Sequence, residues 1–142
     1  MTVIVTDSGF SPDTFQGETI ENGDVANVPT APYAIRLPSD TTPEALTAEL
    51  HEAAMIVIDF PSFADGRGFT LAKRLRLNGY SGRLRAQGHV LADQYAMARR
   101  SGFDEVAIDD ALADRQPEPQ WLARAGWQAF DYRKRLAGAG AA

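Results

Sequence analysis

The sequence predicts an α/β protein with an open, mostly parallel, three-layer sheet built from about four βα units, either flavodoxin-like or half-barrel-like. Two observations support this prediction. Segments of β-branched and aliphatic residues alternate along the chain with segments of helical periodicity, which is typical of βαβ crossovers. The run Met55–Phe60 is apolar almost throughout, as expected of a strand that is covered on both faces.

The predicted domain extends over residues 1–136, with a small N-terminal β arm at 1–32 and the βα units at 33–136. In the arm, Thr2–Val5 has the β-branched content of a strand. A second short strand is predicted at Val25–Val28, after an Asn-Gly turn signal. We expect the arm to cover an edge of the main sheet.

The first βα units begin with a predicted strand at Tyr33–Leu37. A helix is expected to open at Thr41, because Thr41 and Glu44 have the spacing of a capping box and Pro43 suits a first helical turn. The strand Met55–Phe60 follows it. The later units are predicted as helix Phe69–Asn78, strand Arg83–Gln87, helix Val90–Ser101 and strand Asp104–Ile108.

The C-terminal part is expected to begin with a loop or short helix at Asp109–Pro119, which is acidic and contains prolines. A final helix is predicted at Trp121–Leu136, and a disordered tail of Ala and Gly at 137–142. Four aromatic residues of that helix would either pack in the core or form a surface for a partner or a second copy: Trp121, Trp127, Phe130 and Tyr132.

Charge is distributed unevenly along the chain. Its net charge is −5, yet the segment from Gly66 to Arg100 holds eight basic residues and one acid, Asp93. That segment is therefore +7, and the rest of the chain is −12. The imbalance indicates either an anionic ligand or partner at the basic segment, or pairing of the two parts across the fold.

The composition excludes several classes of function. There is no cysteine, which excludes disulfides, thiolate metal sites, cysteine-ligated clusters and cysteine nucleophiles. No apolar run approaches the roughly 20 residues that span a bilayer. The first residues lack the basic and long apolar regions of a signal peptide, so we expect a cytoplasmic protein. Acidity argues against nucleic acid as a partner.

A binding site is predicted where two strands end. In an open parallel sheet, ligands bind beyond the carboxyl ends of the strands, where loops lead into helix N-termini that favour anions. The loops after Met55–Phe60 and Arg83–Gln87 should therefore meet and bind a small anionic ligand. The predicted anion-binding residues are Gly66, Arg67, Gly68, Arg85, Gly88 and Gln94. Those predicted to support or orient the site are Asp59, Asp65, Arg99 and Arg100.

Other interpretations of these residues remain open. The two glycines would then serve only a tight turn, and Arg67 would pair with Asp59 or Asp65. Arg85 lies within a strand, where a charge needs a partner, and we expect it to pair with Asp59 or Asp93 and to orient the loops.

The sequence offers two candidates for acid–base catalysis, His89 and Asp93. No metal site is predicted. His51 and its neighbour Glu52 occupy adjacent positions, which do not share a helix face. The sequence identifies neither a cofactor nor a reaction.

Two blocks of residues resemble the bacterial family catalogued as domain of unknown function 934. The first block comprises Asp59-Phe60, Phe63, Asp65 to Gly68, Leu71-Ala72 and Leu75-Arg76. The second comprises Leu84 to Ala86, Gly88, Val90-Leu91, Asp93-Gln94, Arg99-Arg100 and Gly102 to Asp104. The chain departs from the family pattern at His89, where an acid is expected, and at Ser101, where cysteine is expected.

The resemblance implies a role in sulfur assimilation, because the family is described as a probable oxidoreductase involved in sulfite reduction. Sulfite reductase, or another enzyme of sulfur assimilation, is the implied partner. Without cysteine, the chain would act as an accessory protein that binds an oxyanion or phosphorylated ligand. The alternative is a non-catalytic module that docks a redox enzyme, with a degenerate receiver-like fold, since Ile56 to Arg76 is weakly similar to a response-regulator receiver.

Overall fold

A computed structural model of the chain describes residues 2–22 and 32–130. These residues form a seven-stranded sheet with the strand order β2-β1-β7-β6-β5-β4-β3. The strands are β1 (Thr2–Thr6), β2 (Gly9–Ser11), β3 (Glu18–Glu21), β4 (Tyr33–Leu37), β5 (Met55–Phe60), β6 (Arg83–Gly88) and β7 (Glu105–Asp109). The α-helices are α1 (Arg67–Leu77), α2 (Tyr95–Ser101), α3 (Asp110–Arg115) and α4 (Glu118–Leu122).

The predicted open, mostly parallel α/β sheet is confirmed. Strands β3 to β7 are parallel and lie in chain order, while β1 pairs antiparallel with β7 and β2 antiparallel with β1. Of the two arrangements that the sequence left open, chain order is the winding of a half-barrel, because a flavodoxin sheet reverses its order at a switch point. Parallel strands in chain order carry their crossovers on one face of the sheet.

The face that carries the helices holds the main hydrophobic core. Alternate residues of the central strands, such as Ile56, Ile58 and Leu84, are fully buried and belong to one cluster with helical residues such as Leu75 and Tyr95. This is the period-two pattern of a strand with one apolar face. The core fixes the register, because a slip by one residue would turn charged side chains into it.

The opposite face of the sheet is charged and is covered in part by the segment at 12–17. Arg85, Glu105 and Arg83 lie on this face of β6 and β7, next to the small apolar group Ala34, Met55 and Val57. Phe15 packs against that apolar group. The sequence predicted three layers, and the third layer is an extended N-terminal segment.

The N-terminal arm does cover an edge of the sheet, as predicted. β1 adds antiparallel to β7, with Val5 opposite Val106. Strands β2 and β3 were missed, because both are short and their residues are mostly polar or exposed. The predicted strand Val25–Val28 and the tail at 137–142 lie outside the described residues.

The prediction of a helix that begins at Thr41 is wrong. Two short 3-10 helices, Pro43–Ala45 and Ala48–Glu52, stand in its place, separated by the extended Thr47. The capping box does not form either, because the Thr41 hydroxyl donates a hydrogen bond of 2.6 Å to the carbonyl of Pro38.

α1 is found about where it was predicted, whereas the two helices predicted from Val90 and from Trp121 are shorter in their described parts. A 3-10 helix, Ala92–Gln94, precedes α2 where one helix from Val90 was expected. The continuous helix predicted from Trp121 is also wrong in its described part. α4 ends at Leu122, and turns lead to a 3-10 helix at Trp127–Phe130. Within 2–22 and 32–130, no helix is long and apolar enough to cross a membrane.

Candidate functional site

The two predicted loops do meet at the carboxyl edge of the sheet. The backbone N–H of His89 donates to the carbonyl of Phe60 at 2.9 Å, and His89 Nδ1 lies 3.2 Å from the same oxygen. Gln94 joins the loops further, since its Nε2 donates to the carbonyl of Phe63 and its Oε1 accepts from the N–H of Leu91. The amide of Gln94 is thus used within the protein.

Gly88 makes this meeting of loops possible. Its φ of 115° lies in the left-handed region, and a Cβ at this position would stand 2.7 Å from the carbonyl oxygen of Phe60. Any side chain here would push the loop of β6 away from β5. Gly88 therefore shapes the edge of the sheet.

The sequence predicted a bound anion at the N-terminus of α1. The negative group found there is the carboxylate of Asp65. Asp65 accepts two hydrogen bonds from the guanidinium of Arg67, at 3.0 and 2.8 Å, and one from the backbone N–H of Arg67. Those bonds, together with one from Ser39, hold the pKa of Asp65 well below its usual range. The alternative interpretation, in which Arg67 pairs with Asp65, is confirmed.

The glycines that flank Arg67 have packing roles. A Cβ at Gly68 would stand 2.5 Å from the ring of Phe60, so glycine lets α1 approach β5 closely. Gly66 is the N-cap residue of α1, with a φ of −93°. Neither observation requires a ligand at this helix end.

The predicted role of Arg85 is wrong, because its side chain lies on the charged face of the sheet and not at the loops. It donates to Glu105 at 2.6 Å and to both carboxylate oxygens of Asp13, at 3.0 and 2.7 Å. The partner of Asp59 is instead Arg36, at 2.7 Å. Arg85 lies three residues before the end of β6, so its side chain is within the sheet and does not reach the loops that follow the strand.

The remaining predicted residues lie around α2. Arg99 donates to Asp7 and to the carbonyl of Phe103, and its guanidinium lies 4.8 Å from the ring centre of Trp127. Arg100 donates a long hydrogen bond of 3.3 Å to the carbonyl of Trp127. These two arginines therefore support the C-terminal segment and lie away from the two loops.

The two candidates for acid–base catalysis do not share a cavity. Asp93 is 81% exposed and pairs with Arg124 on the far side of α2. His89 lines the carboxyl edge of the sheet, where the ring of Phe63 packs edge-on against it. Within the described residues the two candidates therefore lie at separate sites, and a catalytic role for either stays a prediction.

A cavity of about 200 Å³ opens at the carboxyl edge between β6 and β7. It is lined by Thr2, Phe63, Gln87, Gly88, His89, Ala107, Ile108, Asp109, Leu112 and Arg115. Among the described residues, the side chains of Gln87 and Arg115 have no hydrogen-bond or ion-pair partner. Asp109 is already engaged as the N-cap of α3, where it accepts the N–H of Leu112 at 2.8 Å.

This set of groups can bind an oxyanion. Arg115 offers a planar fork of donors, Gln87 an amide and His89 a ring nitrogen, Nε2, that the carbonyl of Phe60 does not use. In the described part of the chain, no group of three or more His, Asp or Glu residues could hold a metal ion. The residues that line the cavity include no serine next to a base.

Two residues of this cavity, Gln87 and Arg115, were missed as site residues. The rule that places ligands beyond strand ends applies to β7 as well as to β5 and β6. Applied there, the rule predicts a site around the end of β7 and the start of α3, whereas Arg115 is the last residue of that helix. The sequence predicted a loop or a short helix at Asp109–Pro119, and no ligand was assigned to it.

Comparisons with known proteins identify a family. A family model, described as a bacterial protein of unknown function (DUF934), matches residues 34–133. The matched range contains Gln87, His89 and Arg115, but not Thr2 or the other residues of β1 to β3. No curated protein and no solved structure matches the chain.

Proposed function

This chain belongs to the bacterial family of unknown function DUF934, and on that premise we propose that it binds a small oxyanion at the carboxyl edge of its sheet. The site is the cavity between β6 and β7, with Arg115, His89 and Gln87 as its binding residues. The ligand is either a free oxyanion or the phosphate or sulfate group of a larger molecule.

The observation that carries this proposal is the unpaired guanidinium of Arg115. Among the described residues, seven of the ten other Arg and Lys side chains lie within 4 Å of a carboxylate: Arg36, Arg67, Arg76, Arg83, Arg85, Arg99 and Arg124. At Arg115, the described residues supply a cation, an amide and an imidazole to one concave surface, and no carboxylate pairs with the cation.

The size of the cavity favours a small group. At about 200 Å³ it lies below the roughly 300–1,000 Å³ of sites for drug-sized ligands. A tetrahedral or pyramidal oxyanion fits such a volume, and a nucleotide would place only its anionic group there.

We further propose that the protein acts in the cytoplasm as an accessory to sulfite reduction, where it holds sulfite, sulfate or a sulfate ester. The resemblance of its two sequence blocks to a family described in those terms supports this assignment. The absence of cysteine from the sequence excludes thiol chemistry of its own. Its partner would then be sulfite reductase or another enzyme of sulfur assimilation.

Calorimetric titration of the purified chain tests the anion site. Sulfite, sulfate, phosphate and adenylylated sulfate are each titrated into wild type, Arg115→Gln and His89→Gln. We expect at least one anion to bind, and Arg115→Gln to weaken it about tenfold or more, because one charge-assisted hydrogen bond contributes about 1.5–3 kcal/mol.

Two control variants sharpen the experiment. Arg67→Gln removes the arginine that the sequence favoured, yet its fork already holds Asp65, so we expect binding to be unchanged. Arg74→Gln removes an exposed cation of α1 and reports the effect of net charge alone. Equal affinities of wild type and Arg115→Gln for every anion would contradict the proposed site.

A further inference from the structure

A second cavity lies on the outer side of α2, away from the anion site. Its volume is about 350 Å³, and it is lined by Asp93, Ala96, Met97, Arg100, Ala123, Arg124, Gly126 and Trp127. We call this cavity the α2 groove. Its floor is apolar and its rim is charged. Met97 is 53% exposed in this groove. Methionine fills apolar gaps in cores, and where it is exposed it is common at adaptable binding surfaces.

The wall of the α2 groove formed by Trp127 is held in place before any partner binds. The indole N–H donates to Asp7 at 3.2 Å, and the guanidinium of Arg99 lies 4.8 Å from the ring centre. A tryptophan fixed at a cavity wall loses little conformational entropy on binding. Such residues contribute a large share of the binding energy at protein interfaces.

The cations at the rim are available to a partner. Arg100 has one described contact, the 3.3 Å hydrogen bond to the carbonyl of Trp127, and pairs with no carboxylate of the described residues. Arg124 pairs with Asp93 at 2.8 Å, but both side chains are at least half exposed. An exposed pair of this kind contributes little, so Arg124 can exchange Asp93 for another carboxylate.

We propose that the α2 groove binds an acidic segment of a partner protein, which inserts an aliphatic side chain beside Trp127 and places carboxylates on Arg100 and Arg124. Charge complementarity selects this occupant. The chain's own last residues, 131–142, carry three basic residues and one acid, so they do not suit a rim of arginines. The groove does not share a residue with the anion site, and the inference stands independently of it.

Nuclear magnetic resonance of the nitrogen-labelled full chain tests this proposal. The chain has two tryptophans, and the second, Trp121, is buried with its indole N–H bonded to the carbonyl of Gln116. The probe is a short, end-blocked peptide of alternating Glu and Leu. We expect it to shift the indole signal of Trp127 saturably and to leave that of Trp121 unchanged, which also shows that the core is intact.

Matched variants and peptides identify what is recognised. Replacing Arg100 and Arg124 together by Glu should weaken the peptide about tenfold, whereas the same change at Lys73 and Arg74, exposed on α1, should have less than about a twofold effect. A Lys and Leu peptide should not bind, and a Glu and Ser peptide should bind more weakly, because it offers no apolar side chain.

Several results would overturn the proposal. One is the absence of a saturable Trp127 shift at up to about 1 mM of the Glu and Leu peptide. Another is equal binding of the Lys and Leu peptide, or equal affinity of the double Arg variant. A Trp127 signal that moves with protein concentration alone, together with a dimer in sedimentation, would assign the groove to a second copy of the chain.

Discussion

Asp7 connects the N-terminal arm to α2 and to the C-terminal segment. Its carboxylate accepts from the hydroxyl of Tyr95 at 2.5 Å, from Arg99 at 3.2 Å and from the indole of Trp127 at 3.2 Å. Burial raises the pKa of Asp7, but these hydrogen bonds outweigh burial and lower it below the ordinary value of 3.8. Burial, and then Asp7 itself, raise the pKa of Tyr95.

The lowered pKa of Asp7 predicts how its contribution to stability depends on pH. A carboxyl group whose pKa is lower in the folded than in the unfolded chain stabilises the fold above its unfolded pKa, and loses this effect as pH falls through the folded value. We expect Asp7→Ala to lower the free energy of unfolding by about 1–3 kcal/mol at neutral pH, because the buried Tyr95 hydroxyl loses its acceptor.

Urea unfolding at a series of pH values measures this effect. The difference between wild type and Asp7→Ala should shrink below about pH 4 as Asp7 becomes protonated. Asp114→Ala, at an exposed position of α3, serves as the control for the loss of one negative charge. A difference between wild type and Asp7→Ala that stays constant down to the acid transition would contradict the ionic role of Asp7.

At the scale of single residues, the sequence indicated which side chains need partners but not which partners they find. The pairing of Arg67 with Asp65 was one of those predicted, because two residues in one turn stay close in any fold. Arg85 and Arg99 find Asp13 and Asp7, which are 72 and 92 residues away. Such pairings depend on where the N-terminal segment crosses the sheet, and local composition carries no information on that path.

Among the elements, α1 is joined to its neighbours by one arginine in its last turn. Arg76 donates to the carbonyls of Gly102 at 3.0 Å, Tyr80 at 2.9 Å and Gly82 at 2.8 Å, and to the carboxylate of Asp104 at 3.0 Å. It therefore connects the end of α1 to the start of β6 and to the end of α2.

We expect Arg76→Met to destabilise the protein by about 2–4 kcal/mol, because the apolar stem is kept while three carbonyls lose a charged donor. Arg74→Met, two positions earlier on the exposed side of α1, is the matched control and should change stability by less than about 0.5 kcal/mol. Thermal and urea unfolding of both variants measure the difference. Similar losses in both variants would mean that Arg76 acts only through net charge.

The elements themselves were predictable to different degrees. The central strands were predicted to within a residue or two. A continuous apolar run, such as Met55–Phe60, is a local property that can be recognised in the sequence. Predictions from helical propensity were wrong where tertiary contacts determine where a helix ends. At Trp121, the indole N–H bonds to the carbonyl of Gln116 and the ring packs on Tyr95, so the chain turns to satisfy these contacts instead of extending α4.

For the whole molecule, the charge imbalance of the sequence is mostly neutralised within the fold. Five of the eight basic residues in the +7 segment pair with carboxylates. Internal pairing, one of the two interpretations of the imbalance, therefore accounts for most of the segment, and an anionic ligand or partner at the segment stays a prediction. Arg100, an unpaired cation of the segment, lines the α2 groove, and Arg115, outside the segment, lines the cavity proposed to bind an anion.

The fold also depends on residues that lie outside the range matched by the family model, which begins at residue 34. β1 closes the edge of β7, and its residues Ile4 and Val5 are almost fully buried. β1 also leads directly to Asp7 and contributes Thr2 to the anion cavity. A chain without these residues would expose the backbone donors and acceptors of β7, which promotes pairing with other chains.

We therefore expect deletion of residues 1–11 to abolish stable folding. Losing two buried aliphatic side chains costs about 1.5–3 kcal/mol each, and losing the Asp7 contacts costs a similar amount, which together approach the roughly 5–15 kcal/mol of a whole domain. Thermal unfolding and sedimentation should show an unfolded or aggregated chain. A synthetic peptide of residues 1–11 added in trans should restore part of the fold, because it supplies β1, β2 and Asp7. A truncated chain that stays monomeric, with an unchanged melting temperature, would show that the protein folds without residues 1–11.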